Sequence, residues 1–241
     1  MPEPVAFYPL NARYKAAEKE NRQPKGILGD VGITNGPYGE PGGAYMFYGT
    51  KNSYIEFPNN GGLDTRFSIT LMCWVQPGGQ DGPLFNYPVS SLYAVSIEII
   101  HGKFLNEMVT EQGSGEVYIF WTLKTLPVGK WVHVAASYDQ NTGIVSLYIN
   151  GHLKNSQSIG TGYEIATTAQ IVRMGAGDQL NEYFKGKIAE MKVYDVALNE
   201  AQIQTMIRPG SCPFFEIVFS LPSPVFPVIN KTPVIGHFRK R

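Results

Sequence analysis

Apolar and polar residues alternate along most of this chain, and Gly, Pro, Asn or Asp breaks the alternation at short intervals. A repeat of two marks a half-buried strand, because successive side chains point to opposite faces. "VAFYPL" (Val5–Leu10) predicts a first short strand. "GGAYMFYG" and "SYIEFP" predict two more, joined at Thr50–Asn52. "FSITLMCWVQP" is the longest apolar strand, with Phe67, Ile69, Leu71, Cys73 and Val75 on one face and Ser68, Thr70, Met72 and Trp74 on the other. "PLFNY", "YAVSIEII", "KFLNEMVT" and "EVYIFWTL" follow, separated by Gly or Ser turns. Residues 11–41 are polar and rich in Gly and Pro, which predicts a long surface connection.

The clearest alternation lies in "GKWVHVAASYDQNTGIVSLYINGHLKNS", Gly129 to Ser156. Val132, Val134, Ala136 and Tyr138 share one face of a strand; Trp131, His133, Ala135 and Ser137 share the other. Val145, Leu147 and Ile149 continue the apolar face on the next strand. Asn150-Gly151 predicts a two-residue hairpin, since both central positions of a type I′ turn need positive φ. Trp131 and His133 are expected to serve as scaffold, Trp131 covering the edge of the fold and His133 facing solvent or a groove.

"YFKGKIAEMKVYD" predicts a further strand, and "ALNEAQIQTMIRPG" is the one helix. Asn199 is placed to cap it with Gln202 at the capping-box position, and Leu198 and Ile203 have the spacing of a hydrophobic staple. Ile203, Met206 and Ile207 form its apolar stripe, and Pro209-Gly210 ends it. Many short strands with Gly and Asn turns indicate a sandwich or jelly roll. Residues 1–210 are therefore assigned to one domain. Residues 211–241 are apolar, punctuated by Pro213, Pro222, Pro224 and Pro227, and end basic; they are expected to lie outside that domain, unfolded or loosely docked.

Composition narrows the function. The 20 basic and 20 acidic side chains cancel, so the chain has no electrostatic pull on nucleic acid or on an anionic membrane. No run of about 18 apolar residues supplies a membrane-inserting helix, and "MPEPVAFYPLN" lacks the features of a signal peptide. Two cysteines make neither a disulfide framework nor a zinc site. Cys73 falls in an apolar strand and is expected to be a small buried hydrophobe; a Cys73–Cys212 bridge stays open.

In order, "GGAYMFYGTKNSYIEFPNNGGLDTRFSITLMCWVQP", "GKWVHVAASYDQNTGIVSLYINGHL" and "FKGKIAEMKVYDVALNEAQIQTM" resemble laminin G-like domains of the concanavalin A-like lectin/glucanase superfamily. The resemblance spans Val5 to about Ile207. It implies an all-β, concanavalin A-like jelly-roll sandwich of two antiparallel sheets with one short C-terminal helix. It also implies an extracellular or cell-surface setting and a glycan or extracellular protein as partner. The missing signal peptide is then expected because the chain is a fragment of a larger multidomain protein.

The same superfamily includes glucanases, whose chemistry needs two carboxylates a fixed distance apart. Their Glu-x-Asp-x-x-Glu or Glu-x-Asp-x-Glu strand is missing here: "VSIEII" carries a lone Glu98, and Glu190 and Asp195 fall on opposite strand faces. The expectation is a non-catalytic binding or adhesion module, with a glycosidase-like enzyme or a plain spacer domain as alternatives. Calcium takes several loop oxygens. The resemblance to pentraxin-like members points to the loop "GAGDQLNEY", with Asp178, Gln179, Asn181 and Glu182; the Asp-Asn pair those members carry in an earlier loop is not matched, "LFNYPVSSLYAV" offering only Asn86, and a plain solvated polar loop is the alternative. Tyr87, Tyr93, Tyr118 and Trp121 are aromatic candidates for stacking on a sugar, and the sequence does not choose among them.

Overall fold

In a computed structural model, residues 1–89, 92–110, 117–167, 171–177 and 182–207 are described. They form two antiparallel sheets face to face. One holds β1 (Ala6–Tyr8), β3 (Val31–Thr34), β4 (Ala44–Tyr48), β6 (Ile69–Gln80), β11 (Val132–Asp139), β12 (Ile144–Ile149), β13 (His152–Ser158) and β15 (Lys185–Tyr194). Its order is β13-β12-β11-β6-β15-β4-β3, and β1 also pairs with β15. The other holds β2 (Ile27–Leu28), β5 (Ile55–Phe57), β7 (Gly82–Val89), β8 (Leu92–Ile100), β9 (Lys103–Val109), β10 (Val117–Thr125) and β14 (Val172–Met174), in the order β10-β9-β8-β7-β14-β5-β2. Residues 208–241 lie outside the description, as do the Pro-rich segment, Cys212 and the Pro209-Gly210 helix stop.

The core fills the space between the sheets, as aligned sandwich packing requires. Leu71, Cys73 and Val75 of β6, Val132, Val134, Ala136 and Tyr138 of β11, and Val145 and Leu147 of β12 enter it from one side. Phe85, Val95, Ile97, Ile99, Phe104 and Met108 enter it from the other. The Asn150-Gly151 turn forms as expected: φ is 51° and 77°, and Ile149 pairs with His152. Cys73 is a buried free thiol, and burial pushes its pKa up.

Four features depart from the sequence pattern. Strands β4 and β5, adjacent in the chain, belong to opposite sheets, so Thr50–Asn52 is a crossing and not a hairpin. Segment 11–41 is not wholly connection, because it contributes β2 and β3. Phe67 precedes β6 and is exposed; the core face starts at Ile69. Along β15 the register shifts between Ala189 and Lys192, with Glu190 at φ 54°. This bulge inserts an extra residue, so Ile188 is followed in the core by Met191 and Val193. It also ends the simple two-residue count that put Glu190 and Asp195 on opposite faces.

The outer face of the eight-stranded sheet is covered by the chain itself. Helix α1 (Glu200–Met206) is capped by Asn199, whose Oδ1 accepts from the Gln202 N–H at 3.0 Å while Gln202 Oε1 accepts from the Asn199 N–H at 2.9 Å. Leu198 and Ile203, joined by Met206 and Ile207, pack on Met72, Ala135, Tyr148 and Tyr194 of the sheet. Beside this cluster His133 is 2% exposed, not turned to solvent. Its ring meets Trp74 edge-on at 5.3 Å, and Tyr38 meets Trp74 at 5.7 Å. Burial, with Lys192 adding to it, pulls the His133 pKa down to about 3, so this imidazole is neutral. His133 and the β11–β12 hairpin are thus scaffold.

Candidate ligand-binding face

The outer face of the seven-stranded sheet is built differently. Strands β8 and β9 turn at His101 and Gly102, both with positive φ (51° and 71°), and Ile100 pairs with Lys103. That turn fixes the register. It sets Glu98 opposite Leu105 and Ser96 opposite Glu107. Because Val95, Ile97 and Ile99 point into the core, Ser96 and Glu98 point outward, and their partners with them. Further pairings extend the row: Asn86 opposite Ser96, Arg173 opposite Asn86, Glu56 opposite Arg173, Ile27 opposite Glu56, and at the other end Ile119 opposite Glu107. One line of side chains therefore crosses all seven strands, and its middle five are polar: Glu107, Ser96, Asn86, Arg173 and Glu56. A neighbouring line carries Trp121, Leu105 and Glu98.

The row is acidic. Ser96 Oγ donates to Glu98 Oε1 at 2.6 Å. Burial pushes the Glu98 carboxyl up to about 7, against the Ser96 hydrogen bond, and the carboxylates of Glu182 and Glu107 push it the same way. Burial also raises Glu107, opposed by a hydrogen bond from the Tyr93 backbone and helped by Glu182. Glu182 arrives on the segment after β14, where Ala176 bridges Tyr183; burial raises its pKa too. On the far side Arg173 is ion-paired to Glu56, and its guanidinium lies 5.0 Å from the Tyr54 ring centre. Asn86 is 1% exposed, and its Nδ2 has no hydrogen-bond partner among the described residues.

Toward β10 the face opens. Val117, Ile119, Trp121 and Leu123 recur at every second position, and all four are exposed, Trp121 by 49% and Leu123 by 83%. This settles which aromatic residues are available. Tyr87 and Tyr93 are buried. Tyr118 points inward and packs near Tyr163, ring centres 6.4 Å apart. Trp121 alone of the four stands on the open surface.

Of the residues expected to hold calcium, Asp178, Gln179 and Asn181 lie outside the described residues. Asn86 sits within the sheet, in the polar row. Among the described residues, no group of three or more His, Cys, Asp or Glu is placed to hold a metal ion. The grouping of Glu98, Glu107 and Glu182 was not found by scanning single strands for acid spacing. The available signal was the His101-Gly102 turn, because a two-residue turn there fixes which residues face each other across β8 and β9.

Two facing antiparallel sheets, with a polar row and an exposed tryptophan on one outer surface, define a lectin-like jelly-roll module. The chain belongs to the laminin G-like family (Laminin_G_3) described as the concanavalin A-like lectin/glucanases superfamily, whose profile matches residues 49–204. It is similar to C-reactive protein of Mesocricetus auratus, 29% identical over 85 residues, covering 33% of this chain and 38% of that protein. It is also similar to serum amyloid P-component of Bos taurus, 28% identical over 124 residues, covering 46% of this chain and 55% of that protein. The match thus spans about a third to a half of these relatives' length. Among solved structures, domain 4 of an extracellular arabinanase from Geobacillus stearothermophilus, in complex with arabinotriose, superposes with a TM-score of 0.68 at 22% identity, covering 86% of this chain and 98% of that one. The binding domain of Paraclostridial mosquitocidal protein 1 also gives 0.68, at 18% identity, covering 84% and 51%.

Proposed function

We propose that this domain is a non-catalytic extracellular binding module that recognises a glycan through the outer face of its seven-stranded sheet. The observation that carries the reading is Trp121, half-exposed on the open β10 side of that face, one outward-facing pair along from the Ile119–Glu107 pair. A sugar face stacks on an aromatic ring while its hydroxyls bond to polar side chains alongside. The similarity to the arabinanase domain bound to arabinotriose and to the serum pentraxins supports this use of the fold and the extracellular setting. Glu98 and Glu107 stand on adjacent strands, as a glycosidase pair would. Glu98 is only 1% exposed, and a buried carboxyl out of reach of a glycosidic bond supports binding over hydrolysis.

Calcium fits as an aid at the neighbouring loop. Glu182 Oε2 is buried without a hydrogen-bond partner among the described residues, and such an acceptor suits a cation. Asp178, Gln179, Asn181 and Asn86 are the proposed ligands.

The test is glycan-array and extracellular-protein binding by the whole chain and by Trp121→Ala. Binding present in the parent and lost in the variant is expected, with unfolding free energy changed by no more than about 0.5 kcal/mol. Binding unaltered in Trp121→Ala refutes the assignment of this face. For calcium, a melting rise of about 2–4 °C at saturation that disappears in Asp178→Ala is expected; identical melts in calcium and EDTA remove the metal.

A further inference from the structure

We propose that one end of the sandwich is a docking tip for an anionic lipid bilayer, resting on the headgroup layer by two exposed apolar side chains set among lysines. The inference goes beyond the glycan-binding reading and does not depend on it. Three connections build this end. The β6–β7 junction is tied to the β8–β9 turn, because Asp81 Oδ1 and Oδ2 accept from the Gly102 N–H at 3.2 and 3.3 Å. The β10–β11 connection joins both. Its Leu126 N–H donates to the Gly102 carbonyl at 2.7 Å, and its Gly129 N–H donates to the Pro77 carbonyl at 2.8 Å. Leu126 is buried in the core, so this connection is anchored at its middle.

The anchoring holds two apolar neighbours in water: Leu123 is 83% exposed and Val128 65%. Val128 takes the second position of a tight turn, which the Lys130 N–H closes on the Pro127 carbonyl at 3.4 Å with Gly129 at φ 72°. Turn corners favour Gly, Pro, Asn, Asp and Ser, and an apolar side chain left wet there does nothing for the fold. The same connections carry lysines. Lys124 and Lys130 flank the Val128 turn, Lys103 pairs with Thr125, and Lys185 pairs with Gln80. None of the four is ion-paired among the described residues. Asp81, the one carboxylate in these connections, is held by Gly102. Charges cancel over the whole chain but not at this end. A soluble polyanion would use the lysines and leave Leu123 and Val128 in water. A bilayer with anionic headgroups uses both, since apolar side chains enter the interface and each lysine near it adds attraction.

The experiment is co-sedimentation of the whole chain, in EDTA, with vesicles of phosphatidylcholine alone and of phosphatidylcholine holding about 30% phosphatidylserine. The vesicles carry no glycan, so the result is independent of the sugar-binding face. Binding to the anionic vesicles is expected to be about tenfold or more tighter than to the neutral ones, and to weaken in about 0.5 M salt. Leu123→Ser combined with Val128→Ser should weaken it by about tenfold or more at an unchanged melting temperature, since both side chains are already exposed. Lys124→Gln combined with Lys130→Gln should weaken binding to the anionic vesicles by about tenfold or more. No binding to either vesicle, equal binding to both, or full binding by the double serine variant overturns the proposal. So does retention on immobilised heparin that is equal in the parent and the double serine variant, without vesicle binding; the lysines would then serve a soluble polyanion.

Discussion

The two outer faces of the sandwich are made by the same chain and have opposite character. Over the eight-stranded sheet, Met72, Ala135, Tyr148 and Tyr194 are sealed under Leu198 and Ile203 of the helical segment, and the imidazole beside them, His133, is held neutral. Over the seven-stranded sheet, carboxyl groups converge, an amide nitrogen is unpaired and a tryptophan stands open. The first face is closed by buried apolar area, with the Lys192–Glu190 ion pair beside it. The second holds buried carboxyl groups and an unpaired amide that the Ser96–Glu98 hydrogen bond and the Arg173–Glu56 ion pair only partly satisfy. A face that costs the fold and is not closed by an apolar cover is where a ligand is expected.

Mutations can break this comparison. Ile203→Ala should cost about 2–5 kcal/mol by opening a cavity under the helix, measured by denaturant unfolding, while glycan binding stays at the parent level. A loss of binding in that variant would mean that the helix-covered face takes part in recognition.

Acid should next strike the first face. His133 has its folded pKa lowered to about 3 from an ordinary 6.5. Its contribution is therefore present above pH 6.5 and lost as pH falls toward 3, on the order of a few kcal/mol. Melts across that range should show a limb that is absent in His133→Gln; the same slope in both would place the acid sensitivity elsewhere.

Base should strike the second face more gently. Glu98 has its folded pKa raised to about 7 from 4.5, so its neutral form favours folding below 4.5 and that contribution is lost as pH rises through 7. Glu98→Gln keeps a neutral group and should gain about 1–2 kcal/mol relative to the parent at pH 8 and little at pH 4. Equal stabilities at both values would show that burial does not raise the Glu98 carboxyl.

The helix could be read from sequence almost atom by atom, because its signals are local: Asn199 and Gln202 are three residues apart, and Leu198 and Ile203 are five. The β11–β12–β13 run was equally plain, since Asn150-Gly151 states its own turn type. What sequence hid was non-local. Nothing in "GTKNS" tells whether β4 and β5 pair or part to different sheets, because both outcomes need only a turn. His133 is polar at an outward position, and Trp74, which its ring meets, and Tyr38, which meets Trp74, come from distant segments. The bulge at Glu190 shifts the count along β15 without Gly or Pro at that position to announce it. The proposed binding face was hidden for the same reason: its row takes one residue from each of seven strands.

One contact at the rim has a bearing on how this protein survives in solution. Strand β10 is the end of its sheet, and its outward residues are apolar, a combination that elsewhere templates fibres. The side chain of Asn155 from β13, the end strand of the other sheet, donates to the Trp121 carbonyl at 3.0 Å. β13 itself displays His152, Lys154 and Gln157 to solvent. The two sheet ends thus guard one another. The chain can hold a sticky ribbon outward for a partner, with one of its backbone acceptors already taken and a polar strand alongside to discourage a second copy from joining.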